Sequence, residues 1–525
     1  MDKLKNAALP FAAVMSTVAM AQAEAPVTGV SAQRPNVVMI YVDDLGFGDL
    51  EYYGAVGVNT SNINSLANGG LRFANAYCVA STSTPSRYSL LTGEYPWRKP
   101  GTDVAAGDAA MIISPEQYTV ADVFKDAGYT TAAFGKWHLG LGAESGRQDW
   151  NAPITPAPTD IGFDHSYIMA ATADRVPCVF IEDGNVANYD SVAPIYVSYQ
   201  RNFEGEPTGA ENPELLYNLK SSHGHNMSIV NGIGRIGYMK GGGSALWKDE
   251  NIADTITLRA IEFIKGCGNA PFFIYFAPND IHVPRFPHPR FRGKSEMGLR
   301  GDAVAQLDWC VGELLRTLKE QGVYENTLII LTSDNGPVFD DGYDDRAEEL
   351  VGAHSPTGGL RGGKYSAFEG GTRVPLIIHW PARIKEAAVK EGLVSQIDFL
   401  DVMASVAGVS SGTPLSPDGF PSEAAVWLGE VPQSRSFAVG MAANRTMSLI
   451  LDKWKYIEPK GGPSMVPWGP KIETGYSTEP QLFKKVDGEF NERENVAAGN
   501  TALVSVCSEI LENIKDNRGF WVESY

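Results

Sequence analysis

A chain of 525 residues is too long for one simple hydrophobic core, so two units of structure are expected. Its 43% hydrophobic, 20% charged and 10% aromatic residues are the balance of an ordinary globular protein. A formal net charge of -19, with no Lys/Arg-rich run, excludes a nucleic-acid or acidic-membrane binder. An anionic substrate would need local cations against that field, which makes each basic residue inside a motif informative.

Residues 1–23 read as a secretory signal. Lys3 and Lys5 precede an apolar stretch from Ala7 to Met20, and Ala21-Gln22-Ala23 is a small-x-small cleavage site. The stretch is short and carries Pro10, Ser16 and Thr17, so cleavage is expected over anchoring, and no other segment approaches a membrane span. Export to the periplasm, cell surface or medium follows. The five cysteines (Cys78, Cys178, Cys267, Cys310, Cys507) lack any C-x-x-C pair, which argues against a disulfide scaffold and a zinc site.

Residues 24–433 then alternate apolar strands with helices. Asn36 to Val42 is a strand ending in Asp43-Asp44, Ser61 to Ala67 a helix, and Leu71 to Tyr77 a strand. Ser81 to Gly93 (STSTPSRYSLLTG) reads as a helix start with Pro85 in its first turn and a left-handed stop at Gly93. Thr119 to Ala127 is a helix, and Thr130 to Phe134 a strand leading into Gly135-Lys136-Trp137-His138. Asn151 to Ser244 is irregular and reads as an insertion lining a binding site. Helices Asn251 to Ile264 and Ala303 to Leu318 alternate with strands Pro271 to Phe276 and Thr327 to Leu331. A glycine-rich loop, Gly358 to Arg373, runs into a strand, Val374 to His379, and a helix, Gln396 to Ala407. This pattern predicts an α/β fold with a large, mostly parallel central sheet flanked by helices. Residues 434–525 form a smaller α+β unit: short antiparallel strands at Phe437 to Gly440, Met447 to Leu451 and Trp454 to Glu458, then a helix, Ala502 to Lys515.

Functional side chains gather just past the strands. Asp43 and Asp44 follow one, and Asp334 with Asn335 another; carboxylates and an amide oxygen suit a hard divalent cation, although each cluster alone is ordinary turn chemistry. Ser83 lies at a helix N-terminus, where an anion is favoured, and Arg87 is one turn on; alone, the pair would be an N-cap and a solvated charge. Lys136 and His138, one residue apart, would point the same way in extended backbone. His282 follows a fourth strand, before Pro284. His165, His288, His354 and His379 read as structural. Lys364 sits in a loop that imitates a phosphate loop but has Tyr365 where that loop needs Ser or Thr. Together these groups suit covalent transfer of a tetrahedral oxyanion, sulfate or phosphate alike.

From Pro35 onward the chain resembles the type I sulfatases of the alkaline phosphatase superfamily. Ser83-Thr84-Pro85-Ser86-Arg87 with Leu91-Thr92-Gly93 matches that family's Cys/Ser-x-Pro-Ser-Arg signature, and DDLG from Asp43, GKWHLG from Gly135, SDNG from Ser333 and FEGGTRVP from Phe368 follow in its order. The resemblance implies that Ser83 is oxidised to formylglycine by a serine-type, oxygen-independent formylglycine-generating enzyme. It implies Ca²⁺ held by Asp43, Asp44, Asp334, Asn335 and the modified Ser83. Arg87 and Lys136 would stabilise the hydrated aldehyde, Lys364 would bind sulfate, His282 would protonate the leaving alcohol, and His138 would take a proton as the aldehyde is regenerated. Thr172 stands where the family often has a serine.

Within the irregular segment, Thr172, Asp174, Arg175, His223 and His225 have the chemistry for sugar hydroxyls and resemble stretches of bacterial carbohydrate sulfatases. O-sulfated glycans are therefore the expected substrate, mucin-type galactose or N-acetylgalactosamine first and glycosaminoglycan fragments second. A phosphatase or phosphonate monoester hydrolase, or a non-catalytic sulfated-glycan binder with unmodified Ser83, are the other readings.

Overall fold

The computed structural model describes residues 34–409, 414–433 and 435–516. The signal expected over residues 1–23 lies outside them, as does residue 434, where the second unit is expected to begin. Among the described residues no helix is long and apolar enough to cross a membrane.

Continuous apolar runs become fully buried strands. The main sheet holds β1 (Asn36–Val42), β2 (Leu71–Tyr77), β3 (Thr130–Lys136), β4 (His165–Met169), β5 (Phe180–Glu182), β6 (Asn185–Val186), β7 (Phe272–Ala277), β8 (Thr327–Ser333), β9 (Leu376–His379) and β10 (Ala388–Ser395). Their order is β10-β2-β9-β8-β1-β7-β3-β4-β5-β6. At its centre β8, β1, β7, β3 and β4 are all parallel. Val42 is level with Ser333, Ala277 with Gly135, and Lys136 with Met169. The chain therefore leaves all of these strands at one edge of the sheet, where α/β proteins build their sites.

Five strands depart from the expected pattern. β9 runs antiparallel to both its neighbours. β4 to β6 come from the segment read as an irregular insertion; too short to show a period, they extend the sheet beyond β3. β10 went unread because its first half (AVKE) is partly exposed and ends in two charged residues, which breaks the apolar run. Helices pack their apolar stripes on the sheet: in α4 (Ile252–Cys267, with α1 Ser61–Asn68, α2 Ser83–Thr92 and α3 Val120–Asp126 before it), Ile256, Ala260 and Ile264 recur at every fourth residue and are buried. Thr119 caps α3 with a full capping box to Asp122.

A second sheet of five antiparallel strands, β11 (Phe437–Met441), β12 (Met447–Leu451), β13 (Trp454–Ile457), β14 (Gln481–Val486) and β15 (Glu489–Phe490), is ordered as it occurs in the chain. The last helix, Thr501–Asp516, buries Cys507, Leu511 and Ile514 in the core of this sheet. That core includes Val79 and Ala80, and Ser81 N donates to Met441 O at 2.9 Å. The second sheet thus braces the residues immediately before α2.

A buried triad makes another joint. Lys455 Nζ on β13 lies 3.0 Å from Glu369 Oε1 and 2.9 Å from Glu492 Oε1, and Glu492 accepts from the Glu369 backbone N–H. Lys455→Met would leave two carboxylates buried against each other, and a loss of about 3–5 kcal/mol in urea unfolding is expected. Burial pushes Glu492 up to about 7 from 4.5; Lys455 opposes this and Glu369 reinforces it. A raised carboxylate takes up a proton on folding, so its contribution falls as pH rises from about 4.5 to about 7. Glu492→Gln is expected to flatten the fall of melting temperature across that window.

Candidate active site

α2 starts at Ser83 and ends at Gly93, whose φ of 61° is the expected left-handed stop. The N-cap is Thr82, in extended backbone, so Ser83 is no ordinary cap. Its hydroxyl is aimed across the strand ends instead. Ser83 Oγ accepts from Lys136 Nζ at 2.8 Å and faces Asp43 Oδ1 at 3.4 Å and Asn335 Oδ1 at 3.3 Å.

Arg87 is fully buried, which excludes the solvated-charge reading. Its Nε and Nη2 donate to Asp334 Oδ2 at 2.9 and 2.8 Å, and Nη1 to Tyr275 OH at 3.0 Å. Lys136 Nζ donates to Asp43 Oδ2 at 2.6 Å. Lys364 Nζ donates to Asp44 Oδ2 at 2.8 Å and Asp341 Oδ2 at 2.9 Å, and Asn335 Nδ2 donates to Asp44 Oδ1 at 2.7 Å. Four carboxylates thus face three cations, all buried. Burial pushes Asp43 up to about 8 against the pull of Lys136, with Asp334 and Asp44 adding to the rise. Burial also works against charge on Asp334, but Arg87 and Lys136 hold it well below the usual carboxylate range. Oxygens of Asp43 and Asp44 and a ring nitrogen of His282 converge to within 4.8 Å of one another. Carboxylates with an amide oxygen between them are a donor set for a hard cation, so the residues present fit Ca²⁺.

Two histidines flank this cluster. Lys136 ends β3, but His138 has φ 59°, so the extended geometry expected between the two does not hold. His138 Nε2 lies 2.9 Å from Ala105 O, which can only accept, while Nδ1 is buried without a partner. Burial, then Lys136, hold this ring well below its usual pKa, so it is neutral with a free lone pair on Nδ1. His282 Nδ1 donates to Val283 O at 2.7 Å, leaving Nε2 to face Asp44 Oδ2 at 3.9 Å. Burial, then Lys364 and Lys136, lower it well below the usual range.

The irregular segment supplies a wall. Thr172 and Asp174 are hydrogen-bonded, Arg175 Nη1 donates to Thr172 Oγ1 at 3.1 Å and Asp174 Oδ2 at 3.1 Å, and His225 Nε2 meets Asp174 Oδ2 at 3.0 Å. Burial opposes charge on Asp174, but Arg175 and His225 hold its carboxyl well below the usual range. Wall and floor touch at His225: a Cβ on Gly342, the residue after Asp341, would lie 1.9 Å from its Nδ1. His223 stands apart: its Nδ1 lies 3.5 Å from Asp340, and its ring centre 6.3 Å from that of His225. The other histidines are structural as expected, His354 on Asp49 and His379 between Tyr324 and Leu66 O being the clearest.

Asp341 escaped the sequence reading. It stands in Phe339-Asp340-Asp341-Gly342, which looks like any turn and follows no apolar strand directly. Tyr365, read only as a mismatch to a phosphate loop, donates its hydroxyl to the same Asp341 at 2.9 Å.

Comparison with known proteins agrees with this geometry. The sulfatase family model matches residues 35–409. An N-acetylgalactosamine-6-O-sulfatase of Bacteroides thetaiotaomicron is 48% identical over 490 residues, 93% of this chain and 94% of that protein. Human arylsulfatase A is 31% identical over 388 residues, 72% of this chain and 65% of that protein. A solved structure described under the metabolism of multiple glycosaminoglycans by Bacteroides thetaiotaomicron superposes with a TM-score of 0.88 at 47% identity, covering 93% of this chain and 100% of its own. The chain belongs to the sulfatase family and is a hydrolase of sulfuric esters.

Proposed function

We propose that the protein is an exported carbohydrate sulfatase that removes 6-O-sulfate from N-acetylgalactosamine in host-type glycans. The carrying observation is the Ser83 hydroxyl, set between Lys136, Asp43 and Asn335 below the Thr172–Asp174–Arg175–His225 wall. The names of the 48% identical Bacteroides protein and of two mammalian N-acetylgalactosamine-6-sulfatases at 28–29% support the sugar and the position. The glycosaminoglycan setting of the 47% identical structure supports glycosaminoglycan as the source over mucin, reversing the order expected from sequence.

Formylglycine at position 83 would supply the nucleophilic hydroxyl of a hydrated aldehyde, and Ca²⁺ held by Asp43, Asp44, Asp334, Asn335 and that residue would supply positive charge beside it. Lys136 donates to the oxygen at position 83 and keeps it over the cluster. Arg87 holds Asp334 rigidly enough that the carboxylates cannot swing away. Lys364, a cation at the rim of the cluster, meets the equatorial oxygens of a sulfate group. His282 offers Nε2 towards the ester oxygen that leaves; an anionic ester bound against Lys364 opposes the burial and the Lys364 and Lys136 charges that otherwise keep this ring neutral. His138, neutral with Nδ1 free, accepts a proton from the group at position 83 when the aldehyde is restored. Asp174, Arg175, His225 and Thr172 present paired donors and acceptors to ring hydroxyls, with His223 at the outer edge.

Co-expression with a serine-type formylglycine-generating enzyme is expected to give a Ser83 peptide lacking a pair of hydrogens by mass spectrometry. Ser83→Ala is expected to abolish sulfate release while costing only about 1 kcal/mol of stability, the worth of one hydroxyl hydrogen bond. An unmodified Ser83 in active protein, or full activity of the alanine variant, would refute the mechanism. With defined substrates, sulfate release from the 6-sulfate of N-acetylgalactosamine should exceed that from the 4-sulfate by at least about a hundredfold, since a displaced ester leaves the wall's polar groups unpaired. Equal rates on both isomers, or faster turnover of phosphate esters, would sink the assignment.

A further inference from the structure

The segment from Pro463 to Thr474 lies far from every other site residue in the chain, and beyond the residues 35–409 matched by the family. It folds back on itself: Val466 N donates to Ile472 O at 2.9 Å, Thr474 N to Ser464 O at 3.0 Å, and Thr474 Oγ1 to Pro463 O at 2.6 Å. Its base is pinned to the loop that carries Lys364. Ala367 N donates to Thr474 O at 2.8 Å, Ser366 Oγ to Glu473 O at 2.7 Å, and Arg361 Nε to Glu473 Oε2 at 2.9 Å.

The tip of this arm is Trp468-Gly469. Trp468 is 46% exposed, an unusual state for the largest apolar side chain. Its ring stands edge-on to Tyr365 with centroids 5.0 Å apart, and Tyr365 adjoins Lys364 and holds Asp341. Gly469 lies flat on His223: a Cβ there would sit 2.1 Å from His223 Cε1, so only glycine lets the arm approach this closely. The tryptophan is thereby fixed at the rim of the site, between the cation that meets the sulfate and the histidine at the edge of the wall.

We propose that Trp468 is a platform for the substrate's sugar ring, taking the apolar C–H face of a pyranose while the hydroxyl edge turns to Asp174, Arg175 and His225. This rests on the carbohydrate-sulfatase reading and deepens it. An aromatic face carries negative potential that attracts C–H edges, and it offers its area without the ordering cost of a flexible side chain. The platform distinguishes a sugar sulfate from a bare sulfate ester, since the charged floor binds the sulfate group of either.

The test compares matured wild type, Trp468→Ala and Trp468→Phe on 6-sulfated N-acetylgalactosamine oligosaccharide. Loss of one stacking contact should raise KM roughly five- to tenfold in the alanine variant, with kcat within about twofold of wild type, and phenylalanine should restore most of the difference. Tryptophan emission of the Ser83→Ala protein should shift when the same oligosaccharide is added, and Trp468→Phe in that background should remove the shift. An unchanged KM in Trp468→Ala, a fall in kcat as large as the rise in KM, or an emission shift that survives Trp468→Phe would overturn the proposal. Wild type that releases no sulfate from any sugar while cleaving simple sulfate esters would overturn the carbohydrate reading instead.

Discussion

The salt bridge between Arg87 and Asp334 is sealed from solvent on both sides, and the rest of the site is conditional on it. Taking two such charges out of water costs several kcal/mol per ion, recovered only when geometry and hydrogen bonding are complete. Here they are complete: two guanidinium nitrogens share one carboxylate oxygen, a third donates to Tyr275, and the ring of Tyr41 lies 5.1 Å below. The pair joins the first turns of α2 to the end of β8. Because Lys136, Lys364, Asp43 and Asp44 pack beside it, no single charge in the cluster can change without stranding another. A divalent cation would leave the near-neutral cluster positive, as an anionic ester requires.

That arrangement needs the strand ends to be level and the backbones close. The parallel register supplies the first: Val42 beside Ser333 brings Asp43-Asp44 alongside Asp334-Asn335, where both chains bend as they leave the sheet. Glycines supply the second. A Cβ on Gly336 would lie 1.7 Å from Gly370 O, and one on Gly46 would lie 2.1 Å from Pro356 O. The glycines of the SDNG, DDLG and EGG runs are therefore contact points between loops, and the motifs belong to one packed object.

This explains what could be read from the chain and what could not. Strands such as NVVMIYV and TLIIL announce themselves because burial on both faces demands an unbroken apolar run. Asp43, Asp44 and Asp334 of the charged floor were legible because they follow those strands directly. The polar edge strand β10 and the short β4 carry no such demand, and the antiparallel turn of β9 depends on tertiary packing that no local pattern encodes. His138 was placed correctly beside Lys136 in sequence and wrongly in conformation, since a left-handed histidine leaves no mark in composition. Asp341 was missed for the opposite reason: its surroundings look like a surface turn, and only the fold brings it to Lys364.

The second sheet is where sequence distance misleads most. Local reading makes it an appendage, yet it touches the site three times. β11 holds the residues before α2, Lys455 holds Glu369 at the end of the Lys364 loop, and the Pro463–Thr474 arm is bonded to that same loop. Each contact reaches a backbone segment that positions a charged group, and none supplies a charge to the floor itself. Division of labour of this kind has a physical basis. The sheet edge fixes the charges, whose positions tolerate little variation because their burial is costly. The arm meets substrate at the rim, where solvent reaches and a changed side chain leaves no charge stranded. A fold built this way can alter which ester it accepts at the rim while its floor stays as it is.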